Sequence, residues 1–360
     1  MPPHLLVDIS SHGYGHLAQT AAVLNELAGR MPRLRLTLRC ALPREVLARR
    51  IDPAFEHIPE AFDFGMVMKN AVDLDLEASA ARYADAHRDW EARVEHEARR
   101  LGELKPDLLL ANVPYLTLAA AARAGVSALA MSSLNWADIF LGTLDAMPRA
   151  AEIHAEILAA YRAAQTFLRT VPAMPMESLG NTRAVGPVAT LRRPRREELR
   201  RRLGLGDDAR LVLVALGGIP MRLPIERWPE LPGVHWLAPA EWKARREDAL
   251  TPAAAGLPFA DVFVSCDAVI AKPGYGTFTD AACNGIPVLY LRRPGWPEEE
   301  CLVDWLRKNA ACAEVARDKL ESGDFADELL RLLDAPRRPP ARATGAFEAA
   351  ALVAQLLEAT

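Results

Sequence analysis

The sequence predicts an α/β protein made of two parallel-sheet domains, and three observations carry that expectation. Short runs of branched apolar residues alternate with longer helical stretches along most of the chain, the pattern of parallel strands covered by helices on both faces. Twice, an apolar strand runs straight into closely spaced glycines: the short His4 to Ile9 into the loop Ser10 to His16, and the continuous Leu211 to Leu216 into Gly217-Gly218. At 360 residues the chain is also too long for one ordinary core and suits two.

Taken in order, His4 to Ile9 reads as a strand, Leu17 to Ala28 as a helix and Leu34 to Cys40 as a second strand. A single long amphipathic helix is expected from about Leu76 to Leu104, charged at most exposed positions and ended by Pro106-Asp107. Leu108 to Ala111 resumes as a buried strand, Thr117 to Ala124 as a small-residue helix stopped by Gly125, and Val126 to Met131 as a further strand. Pro172, Pro175, Gly186, Pro187 and Pro194 punctuate a boundary between Val171 and Arg195. Beyond it, strands are expected at Leu211 to Leu216, His235 to Leu237, Val262 to Ser265, Val269 to Ala271 and Val288 to Leu291. A last helix, Ala346 to Leu357, follows the proline-rich stretch Pro336 to Ala341 and is free to pack on either half. The expected division is 1–180, 181–340 and a terminal helix within 341–360.

With 51% hydrophobic and 25% charged residues, the composition is that of a soluble globular chain. No apolar run reaches the length of a membrane span and no signal-peptide pattern precedes the first strand, so a cytoplasmic protein is expected. The five cysteines, Cys40, Cys266, Cys283, Cys301 and Cys312, are odd in number and lack CxxC spacing, which argues against a disulfide framework or a structural zinc site. A net charge of -4 offers no reason to expect nucleic acid as a partner. Seven arginines between Arg192 and Arg202 read first as a solvated helix face, with contact to a membrane surface or an anionic acceptor as the other use.

The stretch Val269 to Tyr290, VIAKPGYGTFTDAACNGIPVLY, is the most informative. It reads as strand, glycine turn, helix closed at Gly285, and strand. A helix N-terminus at that turn would aim unpaired N–H groups and the positive end of the dipole at an anion. Gly274 and Gly276 would let a phosphate approach the backbone, and Lys272 adds positive charge. A plain helix start also fits, because Thr277 and Asp280 stand three apart as in a capping box.

At the matching place in the first half lies Ser10-Ser11-His12-Gly13-Tyr14-Gly15-His16, and ligands of open α/β sheets sit beyond the carboxyl ends of the strands. Gly13, Gly15 and Ala18 match a loose GxGxxA, but a dinucleotide needs an acidic residue at the end of the second strand, where Cys40 stands. His12 and His16 are four apart without the glutamate of HExxH, so no metal is expected there. A histidine at the mouth of a cleft can take a proton from an attacking hydroxyl, or it can simply bond the loop.

Together, the two sheets, the GYGH loop, Val185-Gly186-Pro187-Val188 and KPGYGTFTD resemble the GT-B glycosyltransferases over nearly the whole chain, in particular the uridine-diphosphate-sugar branch with MurG-like and plant-type members. The likeness is greatest to the glycosyltransferase-like domain of arabinokinase-type proteins, which share the Lys-x-Gly-Tyr-Gly-Thr turn and the later Arg292-Arg293 followed by Glu298-Glu299. It implies two Rossmann-like domains facing across a cleft. It further implies sugar transfer from a nucleoside-diphosphate sugar, a UDP-sugar, to an acceptor hydroxyl, with neither metal nor cofactor beyond that co-substrate.

The plant-type motif HxGxxSxxE falls on Lys272, Gly274, Thr277 and Asp280, which the resemblance assigns to the diphosphate and the ribose. Tyr275, Gly276, Gly217 and Gly218 join the donor side, Phe259 beside Pro258 flanks the base, and Glu298 and Glu299 meet sugar hydroxyls. Carboxylates suit that work because each accepts several hydrogen bonds. His16 falls on the family's general base, with His12, Gly13, Gly15 and Trp136 on the acceptor side; Trp136 reads either as a stacking platform or as core. Where many relatives orient the base with an aspartate this chain has Asn112, which makes Asp138 the alternative acid. Asn112 and the short Asp280 favour a rival function, a module that binds a nucleotide-sugar without transferring it. A nucleotide-sugar epimerase on the same fold is a third reading. Acceptor choice is expected to rest on the loops Phe62 to Val72 and Ser132 to Asp138.

Overall fold

The computed structural model of the protein describes residues 2–359. From the amino terminus, β1 (His4–Ile9) leads to α1 (Gly15–Arg30), β2 (Arg35–Arg39), the short α2 (Arg44–Ala48) and β3 (Glu56–Ile58). Next come α3 (Leu76–Ala86), α4 (Trp90–Leu104), β4 (Leu108–Asn112), α5 (Tyr115–Ala124) and β5 (Ala128–Ser132). The first lobe ends with α6 (Trp136–Leu144), α7 (Ala150–Arg162), β6 (Thr166–Thr170) and β7 (Thr182–Val185). In the second lobe α8 (Arg196–Arg202), β8 (Arg210–Ala215), β9 (Val234–Leu237), β10 (Ala249–Leu250), α9 (Phe259–Ser265) and β11 (Ala268–Ala271) come first. They are followed by α10 (Tyr275–Asn284), β12 (Val288–Tyr290), α11 (Glu299–Asn309), β13 (Cys312–Glu314), α12 (Arg317–Ser322), α13 (Ala326–Asp334) and finally α14 (Gly345–Glu358).

Both sheets are parallel. The first runs β3-β2-β1-β4-β5-β6-β7 and the second β10-β9-β8-β11-β12-β13. In each, the strand order reverses beside the first strand, between β1 and β4 and between β8 and β11, and ligands of such sheets bind at the carboxyl side of that reversal. Ile9 pairs with Asn112 and Ala215 with Ala271, so the two glycine turns emerge at the two reversals. Leu5, Val7 and Ile9 face a core shared with α1, while Leu6 points to the opposite core under α4 to α7, the alternation of a strand buried on both faces.

Several expectations change. The stretch Leu76 to Leu104 is two helices; Asp75 caps the first by accepting from Ala78, and the break falls at His87, whose buried ring bonds Glu156 and the Tyr115 hydroxyl. Val262 to Ser265 belongs to helix α9 and not to a strand, since an apolar run this short does not distinguish the two by periodicity. Helix α10 is capped by Gly274 without any side-chain bond, so Thr277 lies inside its first turn and the capping-box reading fails. Strand β7 pairs with β6, so the chain leaves the first sheet only after Val185.

Helix α14 returns to the first lobe. Ala349, Ala350, Val353 and Leu357 join the core that holds Leu17 and Leu24 of α1. Gly345 donates to the Pro187 carbonyl at 3.0 Å, and Glu348 accepts from Gly186 at 3.1 Å, so both chain crossings between the lobes lie against each other. At Gly345 a Cβ would overlap the Gly186 carbonyl. Gly345→Ala is therefore expected to lower stability by about 1–3 kcal/mol, read from urea unfolding; an unchanged midpoint would show that the crossing is not held there.

A buried cluster of charges fixes the start of the loop Phe62 to Val72. Arg39 grips both Asp8 oxygens at 2.6 Å and also bonds Glu97, while Arg100 links Glu97 to Glu60. The Phe62 ring lies 4.1 Å from the Arg39 guanidinium. Arg39→Met would leave Asp8 buried without its cation and Glu97 with Arg100 alone, at an expected cost of roughly 3–5 kcal/mol in the same unfolding experiment.

Candidate active site

The two glycine turns face each other across the lobe junction. Helices α1 and α10 pack together, and a Cβ at Gly276 would sit 3.9 Å from that of Ala18. Tyr14 lies over Gly218, where a Cβ would come within 2.6 Å of its ring. Gly217 has φ +90°, a backbone that only glycine adopts without strain, and its Cβ position lies 3.6 Å from Lys272 Cε. Lys272 Nζ stands 3.8 Å from the Cβ position of Gly274, at the start of α10. An ammonium is thus held beside the positive end of a helix that no side chain caps. Burial, reinforced by Arg293, pushes the Lys272 amine down to about 7. The arrangement disfavours its own positive charge and would be relieved by an anion.

On the first lobe, His16 Nδ1 lies 2.8 Å from Asn112 Oδ1. An amide oxygen only accepts, so Nδ1 carries the proton and Nε2 keeps a lone pair. Asn112 Nδ2 donates to Gln19 Oε1 at 3.2 Å, and Gln19 Nε2 to Ser133 Oγ at 3.3 Å. The Ser133 hydroxyl donates to Glu298 Oε1 of the second lobe at 2.6 Å. Every donor in this buried chain points towards the Glu298 carboxylate, whose other oxygen accepts from Trp296 Nε1 at 3.1 Å. Burial pushes the His16 imidazole down to about 4, against the raising effect of Asn112, and lifts the Glu298 carboxyl.

The second histidine has another setting. His12 stacks on Trp296 at 5.8 Å with 8° between planes and meets Trp136 edge-on at 5.3 Å. Burial, with Arg293 and His16 close by, takes it down to about 3. Trp136 is wholly buried and donates to Asp63 Oδ2 at 2.8 Å, so it is core beneath the histidines and presents no open platform. Asp63 is raised to about 6 by burial, and its Oδ1 has no partner. At the rim, Lys69, Asp73, Gly142, Thr143, Pro294 and Gly295 line an open groove of about 560 Å³ between the lobes.

Other expected residues are placed differently. Asp138 caps α6 with Asn135 and meets Ser178, so it is not the partner of His16. The Tyr275 hydroxyl donates to Val171 O at 3.2 Å and accepts from Val188 N at 2.9 Å, which makes this buried residue a pin between the lobes. Asp280 Oδ1 accepts from Thr190 N at 2.7 Å, anchoring the linker, and burial raises its carboxyl to about 7. Glu299 gives one oxygen to Arg292 and the other to the Arg293 amide. Phe259 is half exposed at the start of α9, against Phe263. Gly13 (φ +75°) shapes the loop before α1, and Gly15 is the first residue of that helix. Thr277 is partly buried in the first turn of α10.

Gln19 and Trp296 were not among the expected site residues, while Asp63 and Ser133 were expected only as members of the loops Phe62 to Val72 and Ser132 to Asp138, and Arg293 only as part of the Arg292-Arg293 pair. Gln19 carried a signal, standing three residues after His16 on one helix face. Ser133 just after β5 had its place at a strand end and in the loop Ser132 to Asp138, but nothing local pointed to its bond with Glu298. Among the described residues no group of three or more His, Cys, Asp or Glu side chains is arranged to hold a metal, and no helix is long and apolar enough to cross a membrane.

No family model matches the chain. L-arabinokinase of Arabidopsis thaliana is 24% identical over 337 residues, which cover 90% of this chain and 31% of that protein. The chain therefore spans about a third of this relative. Among solved structures, the kitacinnamycin glycotransferase superposes with a TM-score of 0.62 at 17% identity, covering 99% of this chain and 95% of that one. Arabidopsis thaliana UGT89C1 complexed with UDP gives 0.62 at 13%, covering 99% of each. The calicheamicin glycosyltransferase CalG4 gives 0.59 at 15%, covering 100% and 95%. With two Rossmann-like sheets meeting at their glycine turns, the chain has the GT-B fold that these glycosyltransferases share.

Proposed function

We propose that the protein transfers a sugar from a nucleoside-diphosphate sugar, a UDP-sugar, to an acceptor hydroxyl. One observation carries the reading: the uncapped start of α10, with Lys272 beside it, confronts across the lobe junction a neutral histidine whose Nε2 is unprotonated. The donor displaces Tyr14 from Gly218 and lays its diphosphate against the amides of Gly274 to Thr277 and the Lys272 ammonium. The acceptor hydroxyl gives its proton to His16 Nε2 as its oxygen bonds the anomeric carbon. The bond from that carbon to the diphosphate breaks, and the departing charge falls on oxygens already held by the cradle, an arrangement that acts where charge develops. Lysine and helix terminus supply the positive charge, so transfer is expected to survive removal of divalent ions.

Asn112 cannot stabilise an imidazolium by charge, but it passes the demand on. Its amide, Gln19 and Ser133 connect His16 to the Glu298 carboxylate, and buried chains of aligned hydrogen bonds polarise one another. The base is thus fully oriented when the lobes are closed. The competing reading, a module that binds without transfer, draws on the same Asn112 and on Asp280 being engaged by the linker. An epimerase would release or isomerise the nucleotide-sugar with no acceptor present. Nucleotide release, measured with candidate UDP-sugars with and without acceptor alcohols, separates the three; release that survives His16→Ala unchanged would remove His16 as the base.

Two further outcomes are expected. Uridine diphosphate at a hundred times its dissociation constant should stabilise the fold by roughly 2.7 kcal/mol. Its affinity should fall as the pH rises from 7 to 9, because the Lys272 amine, near 7 when free instead of its ordinary 10.5, must take up a proton to meet the anion. Calorimetry in buffers of different ionisation enthalpy reads that uptake; a flat profile, equal to that of Lys272→Met, would contradict it. In the rate profile, the acid limb of kcat/KM should lie near 4, where His16 gains its proton, and Asn112→Asp should move it upward by at least a unit, since a carboxylate favours the imidazolium. An acid limb that does not move in Asn112→Asp would separate His16 from the proton transfer.

A further inference from the structure

Arg293 lies between β12 and α11 and is only 4% exposed. Its backbone amide donates to Glu299 at 2.5 Å, and its guanidinium carbon lies 3.5 Å from the centre of the Trp296 ring. The guanidinium itself is poorly answered. Nη2 meets Met68 Sδ at 3.4 Å, a weak acceptor, and Nε has no partner. The neighbouring Arg292 takes the acids instead, bonding Glu299, Glu300 and Glu314. The nearby Glu298 oxygens are occupied by Ser133 and Trp296. Among the described residues no carboxylate forms an ion pair with Arg293, and burial outweighs the pull of Glu298 and Glu299, taking its pKa down to about 10. A buried arginine fork without a carboxylate is a site for an oxyanion from outside, because its parallel N–H groups match carboxylate and phosphate in two-point contact.

Its position says which part of a substrate would meet it. Met68 belongs to the acceptor-side loop of the first lobe, and Trp296, on which the guanidinium lies, also stacks with His12. Arg293 thus faces the junction where a donor sugar and an acceptor would meet.

We propose that Arg293 forms a second oxyanion site, separate from the diphosphate cradle at Lys272, and that one of the two substrates carries its own carboxylate or phosphate there. This rests on the transferase reading above. The anion belongs either to the donor sugar, as a uronate, or to the acceptor, as a sugar phosphate.

Calorimetric titration of the full chain distinguishes these sources with UDP, UDP-glucose, UDP-glucuronate, and glucose or glucose 6-phosphate added to the UDP complex. Either UDP-glucuronate should bind at least tenfold more tightly than UDP-glucose, or glucose 6-phosphate at least tenfold more tightly than glucose. Arg293→Met, which keeps apolar contact with Trp296, should erase that gain while leaving UDP affinity within about twofold. Should this variant not fold, Arg293→Lys, which keeps the charge but not the fork, should still lose at least fivefold of the gain. The proposal is overturned if neither anionic probe outbinds its neutral counterpart in the wild type. It is equally overturned if replacing Arg293 weakens UDP itself tenfold, which would place the arginine in the diphosphate cradle. If UDP does not bind the wild type, the donor reading falls, and glucuronate and glucose 6-phosphate alone decide Arg293: binding lost in the variant sustains the site, and no binding overturns it.

Discussion

The hydrogen bond from Ser133 to Glu298 is the contact on which the arrangement of the site depends. It joins the lobes through two buried side chains, and it ends a line of donors that starts at His16. A carboxylate placed in one lobe thereby orients a histidine in the other. Because Ser133, Gln19 and Asn112 are all buried, water does not compete for their polar groups, and each is satisfied only while its neighbours hold position. The orientation of His16 and the packing of the two lobes are one equilibrium in this fold.

Charge is distributed unevenly around that line. The first lobe balances its buried charges internally, Arg39 with Asp8 and Glu97. At the junction, burial pushes both Lys272 and Arg293 down, and Arg293 lowers Lys272 further, with Glu298 as the acid that opposes both shifts. Such a region costs stability in the free protein and favours anionic ligands, the usual trade at a binding site. Helix α10 links this region to the connection between the lobes. Its first residue, Tyr275, bonds Val171 and Val188, and Asp280 further along the helix holds Thr190, so the element that would cradle a diphosphate also carries both sides of the interlobe connection.

Much of the fold was legible from local pattern. Strands β1, β4, β8 and β11 are predominantly apolar, and each glycine turn follows the strand the sequence indicates. The terminal helix was visible, but the lobe it joins was not, because an apolar face does not name its partner. Local pattern misled where two structures share it: Val262 to Ser265 has the apolar character of a strand and the packing of a helix, and Leu76 to Leu104 has one periodicity but two axes. Within the site, His16, Lys272 and Gly274 stood out because glycine turns mark helix starts beyond strand ends. Asp138 and Tyr275 drew attention through residue type and neighbourhood in sequence, and three-dimensional neighbours made the one a helix cap and the other a pin between the lobes.

What the amino-acid sequence determined by itself is the pair of parallel sheets, the two turns that close their central strands, and the cationic residue beside the second turn. These depend on contacts a few residues apart, on periodicity and on the conformational freedom of glycine. Only the tertiary structure decided that Asn112 reaches a carboxylate through Gln19 and Ser133, that Arg292 rather than Arg293 receives the acids, and that α14 returns to α1. Each of those outcomes depends on side chains far apart in sequence competing for the same few partners in a buried space, and that competition is resolved only when both lobes are folded against each other.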